Sequence, residues 1–177
     1  GSDFDKQDNF WFVQSRIDKG LIKLTPEGQF QTIDISNIIN AEDELALGKL
    51  VVSREGYVFF GAVSSGLVGY NPTTNEFNKI GEELGNGNLP STDIKALAFD
   101  NQNRLWIGTR KGLRVLYNAR NFFESGADID SQPIIILDDG VPQELLFLQS
   151  ITDIEVDGSN NKWISTATSG VFYLSSN

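Results

Sequence analysis

The sequence contains no cysteine, no histidine and no methionine. Without cysteine, neither a disulfide framework nor a thiolate metal site can form. Without histidine, His-ligated zinc, Ser-His-Asp triads and imidazole general bases are excluded. No apolar run approaches the roughly 20 residues of a transmembrane helix, and no signal peptide is visible. Positive charge is also scarce. Fourteen Lys and Arg against 24 Asp and Glu leave a net charge of −10. That argues against nucleic acid, which is held largely by cations on phosphates, and against charge-driven binding to an anionic membrane. The acidity reads as a device for solubility. With no methionine and a leading Gly1-Ser2 that reads as an expression scar, the chain is expected to be an excised piece of a longer one.

What the sequence has is a repeat. Aligned on an aromatic residue, four copies fall in register: Trp11, Phe59, Trp106 and Trp163. Six residues earlier stands a small polar residue: Asp5, Ser53, Asp100 and Asp157. An apolar residue precedes each of these, and Leu50, Leu97 and Ile154 stand two places further back. Glycines follow the aromatics at Gly20, Gly66, Gly112 and Gly170, at intervals of 46, 46 and 58 residues. A period near 46 suits propeller blades of four strands.

Each column has a physical reason. Leu97 to Phe99 is expected to alternate in and out as the first strand. Asp100 and Asp157 open turns whose Asp and Asn side chains bond nearby backbone and tolerate left-handed geometry. The aromatic begins the second strand and fills the space between neighbouring sheets. The small residue two places on (Gly61, Gly108 or Ser165) lets a neighbouring backbone approach. The later glycine turns the chain into a third strand.

The fold class expected is therefore all-β: about four four-stranded antiparallel propeller blades, an incomplete part of a larger propeller. Blade 1 is assigned to 3–35, with a truncated first strand, and blade 2 to 47–80. Blade 3 occupies 93–138 with an insertion at 118–132. Blade 4 occupies 151–177 and lacks its outer strand. Pro133 to Leu137 is the expected outer strand of blade 3, and Gln143 to Leu148 a short helix or extended segment. Ser36 to Glu44 is a connector with room for one helical turn. An open arc exposes apolar sheet faces at both ends, which the remaining blades of the full-length chain, or a homodimer, would cover.

Two copies, FDNQNRLWIGTRKGLRVLYN and VDGSNNKWISTATSGVFYLS, resemble the two-component-regulator propeller repeat, and Leu89 to Ile94 resembles its lead-in. The resemblance is clear over Leu89 to Asn118 and Ile151 to Ser175, weaker over Lys49 to Asn71, and slight over Phe4 to Leu24. This family occurs in periplasmic sensor regions of hybrid histidine kinases of Bacteroidetes. It also occurs in a surface component of the type IX secretion system, which the Asn-Lys-Trp-Ile and Ser-Gly-Val-Phe spellings resemble more closely. The resemblance implies a periplasmic or cell-surface location and a sensing or scaffolding role. Its repeat residues are structural, so it supplies no catalytic or binding residues.

Candidate sites are few. The Asp-rich turns at Asp5 to Asp8 and Asp157 to Asn160 offer fewer carboxylates than calcium needs, and read as turn caps. Asp128, Asp130, Asp138 and Asp139 read as a solvated loop. The tryptophans recur once per blade, which marks packing rather than carbohydrate platforms. Aromatics that break the repeat, Phe122, Phe123 and Phe147, are the better ligand candidates, with Arg110 and Lys111 beside Gly112 as a cationic pair; burial of the insertion against its own blade and a solvated surface pair are the competing readings of these. No catalytic, metal or cofactor residue is assigned. The function expected is a non-enzymatic interaction or sensing module whose partner is a protein or a cell-surface glycan. The alternative is a carbohydrate-active propeller enzyme, a lyase or glycosidase, which predicts carboxylates converging in the central funnel.

Overall fold

The computed structural model describes residues 1–39 and 46–176. Blade 1 is a sheet of β1 (Ser2–Phe4), β2 (Phe10–Val13), β3 (Leu21–Leu24) and β4 (Phe30–Ile33), each paired antiparallel with the next. Blade 2 repeats this order with β5 (Leu47–Val52), β6 (Val58–Ala62), β7 (Gly66–Asn71) and β8 (Glu76–Ile80). Blade 3 has β9 (Ile94–Phe99), β10 (Leu105–Thr109) and β11 (Gly112–Leu116). A two-stranded hairpin follows, β12 (Ile135–Asp138) and β13 (Val141–Glu144). Blade 4 has β14 (Ile151–Val156), β15 (Lys162–Thr166) and β16 (Val171–Leu174). The architecture is a β-propeller arc, with the first strands β1, β5, β9 and β14 packed in succession along its inner side.

The turn between first and second strand is the same device in every blade. Its left-handed position falls on Asp8 (φ 59°), Gly56 (φ 87°), Asn103 (φ 61°) and Asn160 (φ 66°). Asp, Asn and Gly are the residues that tolerate this geometry, so the turn chemistry of the sequence sets the hairpin. The third-strand glycines Gly66, Gly112 and Gly170 also have positive φ, whereas Gly20 does not. A Cβ at Gly20 would lie 2.7 Å from the Gln14 carbonyl and from Ile35 Cδ1, so close packing is what requires glycine there.

Three cores lie between the blades, one per interface. Trp11 is buried with Leu50, Val58 and Phe60. Phe59 is buried with Leu97, Leu105 and Ile107, and Trp106 with Ile151, Ile154 and Ile164. In each, the residues flanking one blade's aromatic cover the aromatic of the blade before. Burying each such ring contributes about 1.5–3 kcal/mol. The interlock continues one turn up the strand. A Cβ at Gly61 would lie 2.7 Å from Cβ of Ile94, and one at Gly108 would lie 2.5 Å from Cγ2 of Ile151. Ile94 and Ile151 each open the first strand of the following blade, so glycine admits the same isoleucine at successive interfaces.

Several expectations are corrected. Trp163 is 47 % exposed, with no further blade against it among the described residues. The inner strand β9 does not alternate cleanly, because neighbouring blades flank it on both faces. Blade 1 begins at Ser2, which pairs with Phe12, rather than at residue 3. Among the described residues blade 3 has no outer strand. Val115 makes one bridge with Gln132, and β12 pairs with β13 instead of β11. The cause is Asp139-Gly140, both left-handed (φ 48° and 80°), which is favoured hairpin-turn chemistry. Of the segment expected as a short helix or extended, Gln143 and Glu144 are extended in β13 and 145–148 form turns, with Leu146 and Leu148 both at φ 58°. Of the expected connector, 36–39 form turns and residues 40–44 lie outside the described residues.

Candidate functional site

The Asp turns form one rim of the arc and carry its most repetitive polar chemistry. Asp100 Oδ1 accepts the backbone N–H groups of Gln102 and Arg104, both at 3.0 Å. Its Oδ2 accepts the Trp106 indole N–H at 3.0 Å. Asp5 repeats this with Gln7 N (2.9 Å), Asn9 N (3.0 Å) and Trp11 Nε1 (2.9 Å). Asp157 repeats it with Ser159 N (2.9 Å), Asn161 N (2.9 Å) and Trp163 Nε1 (3.4 Å). In blade 2 the ring is phenyl, no indole needs an acceptor, and Ser53 Oγ accepts only Tyr57 N–H at 3.1 Å. Burial works to raise the carboxyls of Asp5 and Asp100, but these hydrogen bonds outweigh it and hold both below the ordinary carboxylate value.

At the interface of blades 3 and 4 this bracket gains charge. Arg104 Nε donates to Asp100 Oδ2 at 2.6 Å. Lys162, only 2 % exposed, donates to the Asn160 carbonyl at 2.7 Å and lies 3.6 Å from Asp100 Oδ2. Its ammonium sits 5.0 Å from the Trp106 ring centroid. Burial and the Arg104 charge lower its pKa, and Asp100 opposes them. Lys162 occupies a column held elsewhere by Phe10, Val58 and Leu105. That break in an apolar column is the signal by which the sequence could have revealed it.

The loop residues singled out in the sequence separate into two groups. Arg110, Lys111 and Phe147 are exposed, and Leu148 N–H bonds the Lys111 carbonyl at 3.1 Å, which joins them on the rim opposite the Asp turns. Phe122 and Phe123 lie elsewhere. Phe122 is buried, edge-on to Phe59 with ring centroids 5.1 Å apart. Phe123 packs edge-on to Tyr57 at 4.9 Å. The insertion thus folds onto blade 2, the neighbouring blade, where the Phe122 ring is closed to a ligand and Phe123 is half-buried. Asp130 clasps it there, accepting Gly85 N–H and Gly87 N–H at 2.7 Å each. Among the described residues no group of three or more His, Cys, Asp or Glu could hold a metal ion.

Two concavities among the described residues bear on function. The first strands line a central one of about 280 Å³ that includes Asp3, Lys49, Phe99 and Glu155. Asp3 accepts Val52 N–H at 2.8 Å, and Asp153, beside this cavity, pairs with Lys49 at 3.2 Å. The second, about 390 Å³, opens on the Asp-turn rim between blades 2 and 3. Arg54, Gln102, Asn103, Tyr117, Asn118 and Arg120 line it, with Glu55 on one wall. Nothing in the repeat register marks it. Its signal was the stretch where the insertion leaves the repeat, Tyr117 to Arg120, which the short 3-10 helix Ala119–Asn121 then shapes.

Residues 88–111 match the family described as two component regulator propeller, so the chain carries that repeat. No curated protein matches the sequence. Among solved structures, the chain is similar to PorZ, an essential surface component of the type-IX secretion system of Porphyromonas gingivalis. Identity is 20 %, the TM-score is 0.83, and the match covers 99 % of this chain and 25 % of PorZ. It is also similar to the extracellular domain of a putative one component system, BT4673, from B. thetaiotaomicron. There identity is 23 %, the TM-score 0.63, and coverage 98 % of this chain and 21 % of that one. Virginiamycin B lyase from Staphylococcus aureus matches at 12 % identity and TM-score 0.61, over 99 % of this chain and 54 % of the lyase. The chain thus spans a quarter or less of the first two, and the likeness is one of fold.

Proposed function

We propose that this chain is a non-enzymatic, extracytoplasmic interaction or sensing module. It belongs to a type IX secretion component or to a two-component-type sensor, and it presents rim loops to a partner. The observation that carries this is the PorZ likeness, at TM-score 0.83 over 99 % of the chain, together with the 88–111 repeat. Among the described residues, two of the three carboxylates in or beside the funnel are engaged, Asp3 with a backbone N–H and Asp153 with Lys49, and Glu155 alone is not, which supports the non-enzymatic part. The exported location is tested by fractionating cells that make the full-length protein. It should be in the periplasm or on the surface, and a cytoplasmic pool would contradict the reading. Incubating the purified full-length protein with polysaccharides tests the rest. Release of reducing ends or unsaturated products would move the protein to the lyase or glycosidase reading.

Partner surfaces begin at the two end faces. On blade 1, Phe4, Phe10, Leu24 and Phe30 stand opposite one another in register, an apolar row across the sheet. On blade 4, Trp163 and Tyr173 stack with centroids 4.9 Å apart and both are exposed. Remaining blades of a longer chain cover these faces, and a homodimer covers them in the chain alone. Light scattering at high concentration is expected to show the dimer; a monomer would contradict it.

A further inference from the structure

The rim cleft between blades 2 and 3 holds an unusual concentration of positive charge for a chain of net charge −10. Arg54 and Arg120 line it, and Arg104 lies 5.8 Å from the ring centroid of its exposed Tyr117. Arg104 is paired with Asp100 at 2.6 Å, so Arg54 and Arg120 carry the unpaired positive charge of the cleft. Among the described residues, neither Arg54 nor Arg120 has a carboxylate within ion-pair distance. Glu55, the acid on the cleft wall, is taken by Asn103 Nδ2 at 3.0 and 3.1 Å. Arg54 donates through Nη2 to the Asn101 carbonyl at 2.6 Å, which fixes its direction and leaves its other N–H groups free for a ligand.

The repeat does not require this arrangement. The corresponding cleft between blades 1 and 2 is lined by Asp5, Gln7, Lys23, Glu55, Pro72 and Thr73 among others, with no arginine. The position of Tyr117 is held there by Asn71, which is buried. Tyr117, Asn118 and Arg120 come from the point where the insertion departs. The cleft is also polar and open on the rim, unlike the enclosed, mostly apolar sites that bury small molecules. Arg and Tyr are the residues enriched in the anchors of protein interfaces, and a guanidinium presents a planar fork to a carboxylate.

We propose that this cleft docks an acidic peptide segment of a protein partner. The segment's carboxylates accept from Arg54 and Arg120, and Gln102 and Asn118 pair with its main chain. This rests on the interaction-module reading and names the partner chemistry.

The test is an amide-resolved NMR titration of the chain with acetyl-Gly-Glu-Gly-Glu-Gly-Glu-amide. The Gln-for-Glu peptide and D-glucuronate serve as comparison probes. Saturable shifts are expected at the amides of Gln102, Asn103 and 117–120 with the Glu peptide, and none with the Gln peptide. Arg54→Ala with Arg120→Ala should weaken binding roughly tenfold or more. Both side chains are exposed, so the fold should survive. Shifts absent from these amides, equal shifts with the Gln peptide, or unchanged affinity in the double variant would overturn the proposal. So would tighter binding of glucuronate at the same amides, which would assign the cleft to an acidic sugar. Failure of the module reading is read separately, from the location and polysaccharide assays of the full-length protein.

Discussion

Asp100 serves backbone and ring together. One oxygen closes the turn and the other receives the indole, so turn and aromatic are chosen as a pair. Blade 2 shows the other consistent pair, Ser53 with Phe59. Asp100→Asn replaces an acceptor oxygen with a donor and leaves the buried indole N–H of Trp106 without an acceptor. It should cost about 1–3 kcal/mol in urea unfolding. In the Trp106→Phe background the cost should be smaller by about 1 kcal/mol. Equal costs in both backgrounds would show that the bond to the indole does not matter. The same carboxyls predict an acid limit. Asp5 and Asp100 have folded pKa values below the unfolded one, so their stabilisation is present above about pH 4 and is lost as pH falls through the folded values. Urea midpoints should drop below that pH, and Asp100→Asn should flatten part of the drop. An unchanged slope would contradict the assignment.

At the scale of the element, the columns of the repeat were legible because each residue meets the same neighbours in every blade. Turn, aromatic and strand order followed from Asp5, Asp100 and Asp157 and from the rings six residues later. The insertion was not legible in the same way. Phe122 and Phe123 break the register and read either as ligand contacts or as burial against their own blade, whereas the segment packs on blade 2, a tertiary fact with no local signature. The hairpin β12–β13 did have a local signature in Asp139-Gly140, but the expectation of a fourth strand for blade 3 overrode it. The rim cleft was missed for the opposite reason, since its arginines come from two turns 66 residues apart at Arg54 and Arg120. Phe122→Ala should therefore cost about 3–5 kcal/mol in chemical unfolding. Phe147→Ala, at an exposed position, should cost under about 0.5 kcal/mol. Equal losses would contradict the division of the two rings between core and surface.

For the whole molecule, three interfaces in succession use one rule. Each of the first three blades buries its aromatic under the next, and at the second and third interfaces a glycine two residues on receives the isoleucine that opens the next inner strand, Gly61–Ile94 and Gly108–Ile151. The same rule leaves Trp163 open at one end and the Phe4–Phe30 row open at the other. It also holds adjacent rim turns at a fixed spacing, on which any cleft between them depends. The most direct measurement is a double-mutant cycle on Gly108→Ala and Ile151→Ala by urea unfolding. The Cβ of Gly108→Ala should cost about 1–3 kcal/mol against Ile151, and markedly less in the Ile151→Ala background. A harmless Gly108→Ala, or strictly additive losses, would contradict the interlock on which the propeller arc is built.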